Sequence, residues 1–193
     1  MKYLRRLLGF IASKLVIFTI VSTLLILAFY LAMNTSNTYI LLADGMKERA
    51  SVILTRQGAA ELNGFFEGEY LSQDEGLSIG LSQNSPYYYY NVTSFNYDLS
   101  MEWMWSWPWE DTAEAVIVEK IPRIVGTVAS DYRSMAAAGT IAATPPDWVG
   151  GRYRVTLKRV NGVWKIASLR QTQVIVNPTP VPAPATPEPQ TRR

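Results

Sequence analysis

Cysteine and histidine are both absent from this 193-residue sequence. Their absence excludes a disulfide framework, a thiolate nucleophile, a histidine general base and any zinc site built on those ligands. Basic residues are also missing from a long stretch: residues 57–119 contain acids but neither Lys nor Arg. Charge of either sign is missing from residues 15–33.

That uncharged run is apolar throughout, and as a helix it spans roughly 28 Å, close to the hydrocarbon thickness of a bilayer. A cleaved signal peptide is the competing reading, but its apolar core usually runs only about 7 to 15 residues and ends in small residues. Here Phe29, Tyr30 and Leu31 stand near the end of the run, which suits cleavage poorly. A retained single-pass anchor is expected. Lys2, Arg5, Arg6 and Lys14 precede it, whereas the first charges after it, Asp44, Lys47, Glu48 and Arg49, are mixed in sign. Basic flanks stay on the cytoplasmic side. The expected topology is therefore a cytoplasmic segment (residues 1–14), a transmembrane helix (15–33), an extracytoplasmic domain of the cell membrane (34–176) and a tail (177–193).

The formal net charge of +2 misleads, because the four basic residues before the anchor and the +1 of the tail leave the exported part near −3. Nucleic acid is thus not an expected partner. Charge is also segregated within the domain. Arg152, Arg154, Lys158, Arg159, Lys165 and Arg170 follow one another with no acid between them. Acidic and basic strands paired across one sheet account for this, since opposite charges on neighbouring strands attract. A polarised docking surface is the alternative.

Periodicity divides the domain into helices and then strands. Tyr39, Ala43, Met46, Ala50, Ile53 and Gln57 recur at spacings of three and four, which predicts one apolar helical stripe stopped at Gly58. A second short helix is expected over residues 59–66, with Leu62, Phe65 and Phe66 as its packing edge. Residues 72–86 read as a loop. From Phe95 the chain alternates, placing Tyr97, Leu99, Met101, Trp103, Trp105 and Trp107 on one face, which predicts a long strand with Trp103 and Trp105 in the core. A second strand follows over residues 112–121, with Pro122 at a bulge or edge. Residues 126–151 read as a long connection. Tyr153, Val155 and Leu157 then alternate with polar residues up to Asn161-Gly162, a two-residue hairpin turn, and residues 163–175 return as its partner. The proline-rich tail reads as disordered and extended, acting as a spacer. The fold class expected is α+β: an N-terminal transmembrane helix, then one or two helices packed on a curved antiparallel sheet of about four strands.

This order of elements, closed by Asn161-Gly162-Val163-Trp164-Lys165-Ile166, resembles the nuclear transport factor 2-like, or cystatin-like cone, superfamily. With an anchor in front, the layout is similar to extracytoplasmic domains of type IV secretion and conjugation scaffold proteins. The resemblance implies a cone-like sheet and a scaffold that assembles with membrane partners. No family site residue carries over.

Candidate chemistry is sparse. Gly76-Leu77-Ser78-Ile79-Gly80 spells a hydrolase nucleophile elbow, but without a base or a strand-to-helix context it reads as a loop. Asn34-Thr35-Ser36 and Asn91-Val92-Thr93 spell glycosylation acceptors and are read as chance matches. Asp98 and Glu102 fall on the polar strand face. Glu119 lies in phase with Ala115, Ile117 and Ile121, which makes it the expected buried acid. A carboxyl in such a place can move protons, because desolvation raises its pKa. The candidate binding surface comprises Trp107, Trp109, Tyr87 and Tyr88, whose rings offer area with a polar handle, and Arg152, Arg154 and Lys158. No catalytic residue, metal or cofactor is expected. The reading favoured is noncovalent binding or assembly with a protein partner or a second copy, with a glycan or lipid as possible ligand. The alternative is a cone-fold enzyme that uses a buried carboxylate for proton transfer or hydrolysis.

Overall fold

A computed structural model describes residues 2–107 and 109–176; the tail expected to be disordered lies outside the described residues. One helix, α1 (Lys2–Thr55), is 54 residues long and includes the uncharged run. It carries no proline, and the polar stretch at Asn34-Thr35-Ser36-Asn37 leaves it unbroken. Within the run Thr19 and Thr23 each donate their hydroxyl to the carbonyl four residues back, at 2.9 and 2.8 Å. Such bonds satisfy hydroxyls where water is scarce. Among the described residues this is the one helix long and apolar enough to cross a membrane. Backbone reversal ends it, with φ of 61° at Arg56 and 78° at Gly58.

A 3-10 turn (Ala59–Gly64) buries Leu62 and leads to Phe66, also fully buried, so the expected packing edge is in place. The expected loop over residues 72–86 is instead mostly helical. Two short helices, α2 (Gly68–Gln73) and α3 (Glu75–Leu81), occupy it. Asp74 caps α3 by accepting the Leu77 N–H at 3.1 Å, a local signal that an Asp ahead of an apolar residue supplies. Ser78 is exposed on this helix rather than on a strained elbow.

Four antiparallel strands then form an open sheet in the order β1-β2-β3-β4: β1 (Tyr90–Trp105), β2 (Thr112–Val128), β3 (Val149–Val160) and β4 (Val163–Val176). The α+β class expected from the sequence is the class observed. Pro122 sits where β2 carries an extra residue against Asn96 and Asp98, so it removes no ladder bond from a regular stretch. Ser130–Tyr132 and α4 (Arg133–Ala137) interrupt the long connection to β3. Asn161 and Gly162 turn the last hairpin with φ of 52° and 82°, the positive pair this turn demands.

The tryptophan phase in β1 differs from expectation. Met101 pairs with Ile117 but Trp103 pairs with Val116, so two residues of β1 are matched by one of β2. That bulge at Glu102 reverses which side chains face inward, because side-chain direction has period two. Leu99 and Met101 point to the core before it and Met104 after it. Trp103 and Trp105 are consequently 49% exposed each, not core.

The face of α1 that lies on the sheet is set by Thr38, Leu42, Met46, Arg49, Ala50 and Ile53, all buried. Met46, Ala50 and Ile53 are members of the expected stripe and Ala43 is half-buried, whereas Tyr39 and Gln57 at its two ends are exposed. Gly45 belongs to the same buried face: a Cβ added there would lie 2.9 Å from Phe65 Cβ and 3.2 Å from Ile166 Cδ1. The helix thus approaches these two side chains where it has none of its own. Gly45→Leu is expected to lose about 1–3 kcal/mol by overpacking, read as a lower urea midpoint at unchanged slope.

Candidate functional site

Between α1, α3 and the segment before β3 lies a cleft of about 760 Å³, with Arg49, Ile53, Asp74, Ile79, Tyr87 and Trp148 among its lining residues. Its floor is polar. Arg49 donates through Nε and Nη2 to the two carboxylate oxygens of Asp74 at 2.6 and 2.8 Å. This bidentate geometry is the strongest an ion pair can adopt. Tyr70 donates its hydroxyl to Asp74 at 3.2 Å. Burial alone would lower the proton affinity of Arg49 and raise that of Asp74. The mutual bond and charge overcome it, holding Asp74 below the ordinary carboxylate range. Burial and the Asp74 charge together push Tyr70 upward. All three groups are therefore fixed in charge near neutral pH.

Behind the cleft wall sits Glu119, fully buried as its phase on β2 predicts. Burial is the largest influence on it and raises its pKa to about 7, against the opposing charge of Arg49 and the donors Trp148 Nε1, Tyr97 and Tyr153. These donors face the carboxyl without reaching bonding geometry: both Glu119 oxygens, the Tyr97 hydroxyl and Trp148 Nε1 have no hydrogen-bond partner among the described residues. Burial and the neighbouring carboxyl raise Tyr97 as well, and Tyr153 to about 12. Trp148 and Tyr153 belong both to the cleft wall and to the shell of Glu119. They therefore separate the acid from the opening. The arrangement is a proton-holding group tuned near neutrality but shielded from a substrate.

The other expected site residues do not gather here. Tyr87 is buried rather than exposed; its ring stacks on Trp148 at 6.2 Å, so it belongs to the cleft and not to an outer aromatic surface. Tyr88 is half-buried under the Arg56 guanidinium, 4.5 Å from its ring centre. Arg152 is paired with Glu102 at 2.6 Å and Lys158 with Glu67 at 3.5 Å, so part of the basic surface is neutralised by the acidic elements beside it. Arg154 is exposed and has no ion pair among the described residues. Trp107 and Trp109 are exposed and lie far along the chain from the cleft lining, at the β1–β2 turn.

Sequence reasoning placed Glu119 inward but missed Arg49 and Asp74. Arg49 stands one position before Ala50 of the expected apolar stripe, and Asp74 lay in the supposed loop. The helix-capping pattern of Asp74 was the available signal for one of them; nothing local marks the pair. No group of His, Cys, Asp or Glu suited to a metal ion occurs among the described residues. No protein family, curated protein or solved structure matches this chain.

Proposed function

We propose that this is a single-pass membrane protein whose domain, residues 34–176, lies outside the cytoplasm and holds a protein segment or envelope ligand noncovalently in the cleft. The N-terminus is cytoplasmic in this reading, as the basic flank of residues 15–33 favours. The continuity of α1 carries it. The helix with the apolar run also contributes Arg49 and Ile53 to the cleft, so anchor and binding site share one rigid element. Ile79, Pro86, Tyr87 and Trp148 offer apolar area, with Arg49 and Asp74 as fixed polar groups and the Gln171 amide also in the lining. That mixture suits recognition by shape with a few orienting bonds. A scaffold role within a membrane assembly, and distant kinship with the nuclear transport factor 2-like superfamily, belong to the same proposal. The order of helices followed by four antiparallel strands supports the kinship.

An enzyme is the second reading, favoured by Glu119 with its pKa near 7 beside two tyrosines. The sealed position of that carboxyl weighs against it. A photo-crosslinking residue at Ile79, exposed on the cleft wall, separates the two when the full chain sits in its native membrane. A discrete adduct at Ile79 and none from the same group at Ser130 is expected. Equal labelling at both positions would sink the cleft as a binding site. Turnover by the purified chain that disappears in Glu119→Gln would install the enzyme instead.

A further inference from the structure

The four tryptophans from Trp103 to Trp109 share one hairpin, and all of them are exposed. Trp109 is 73% exposed. Trp105 and Trp107 meet edge to face at 5.1 Å, and Trp107 stacks on Trp109 at 5.1 Å with 17° between the rings. The bulge at Glu102 is what turns Trp103 and Trp105 away from the core.

A chain of contacts fixes where in the molecule the hairpin tip lies. Asn34, the first residue after the apolar run of residues 15–33, accepts a hydrogen bond from Trp164 Nε1 at 3.0 Å. Trp164 stands opposite Arg159 across the last hairpin, and the Arg159 guanidinium lies 4.6 Å over its ring centre. The Arg159 N–H in turn donates to the carbonyl of Asp111 at 2.7 Å. Asp111 closes the turn that carries Trp107 and Trp109. The tip is therefore tied to the end of α1 where its apolar run stops, while Arg49 stands about 22 Å farther along the helix.

From this placement we infer that the Trp103–Trp109 hairpin is a second membrane contact, seated in the lipid headgroup layer of the bilayer that α1 crosses. The inference rests on the reading of residues 15–33 as a membrane span. Indole rings suit that layer, because their apolar body and N–H tip match a zone that is apolar on one side and wet on the other. Glu110, Asp111 and Glu114 flank the rings, which keeps the tip from deep insertion and favours zwitterionic over anionic lipid. With two points of attachment, the domain cannot spin freely about α1. The cleft is then held at a set height and heading above the surface.

Because the chain has no cysteine, single substitutions report position cleanly. Leu25→Cys, Glu110→Cys and Ser130→Cys, each carrying a nitroxide in the full chain, are reconstituted in phosphatidylcholine vesicles. The label at 25 is expected in hydrocarbon, open to oxygen and closed to a water-soluble nickel chelate. At 110, access to the chelate should fall roughly threefold or more below that at 130, as a headgroup position requires. Replacing Trp107 and Trp109 by Ser should return 110 to the value at 130 and leave 25 unchanged. Equal access at 110 and 130, with 25 in hydrocarbon, overturns the seating alone. Water exposure at 25 overturns the anchor and the seating with it. Spin–spin broadening at 110 that dilution with unlabelled chain removes would show a second copy on the hairpin, and would also overturn the proposal.

Discussion

Asp74→Ala is expected to destabilise the domain by about 3–5 kcal/mol, because it leaves the buried Arg49 guanidinium without its counter-charge. The loss is compound. Arg49 forfeits both charge-assisted bonds, Tyr70 its acceptor and the Leu77 N–H its cap. Truncating one partner is costlier than removing both, since an unpaired buried charge is worse than none. Arg49→Met combined with Asp74→Leu is therefore expected to recover a large part of the loss, a coupling that a double-mutant cycle in urea measures at pH 7. If the double variant were as unstable as the sum of the singles, the pair would not be acting as a unit.

That pair also shows where the sequence stops being legible. Arg49 and Asp74 are 25 positions apart, one on α1 and the other capping α3, so neither announces the other. By contrast, the Asn161-Gly162 turn and the inward phase of Tyr153, Val155 and Leu157 were readable, because turn chemistry and period two are local. Glu119 was legible for the same reason. The exposed Trp103 and Trp105 were not, since a bulge is defined by the partner strand: only the pairing of Trp103 with Val116 reveals the extra residue at Glu102. Part of the buried face of α1 was illegible for a comparable reason. Gly45 and Thr38 carry little hydrophobic signal, yet both are buried, and Gly45 lets the helix approach Phe65 and Ile166.

Glu119→Gln is expected to flatten the neutral limb of the pH–stability profile and to leave the variant more stable than the parent above pH 7. Folding raises the pKa of Glu119 from 4.5 to about 7, so between those values the folded chain binds more protons than the unfolded one. Its contribution is complete below the unfolded value and is lost as pH rises through the folded one, on the order of 3 kcal/mol in all. Asp74 acts in the opposite sense. Its folded pKa lies below the unfolded 3.8, so its contribution is present above that value and disappears in stronger acid. The parent should therefore be most stable in mild acid, losing ground on both sides, and the glutamine variant should keep only the acid limb. Urea midpoints at pH 5, 6, 7 and 8 decide this: an unchanged slope in Glu119→Gln would assign the titration to another group. The same ionisation bears on the cleft, because the charge develops directly behind Trp148 and Tyr153. A carboxylate there gains most by letting water reach it. Hydrogen exchange at the Trp148 and Tyr153 amides is accordingly expected to quicken above pH 7 in the parent beyond the intrinsic base-catalysed increase, and not in the variant.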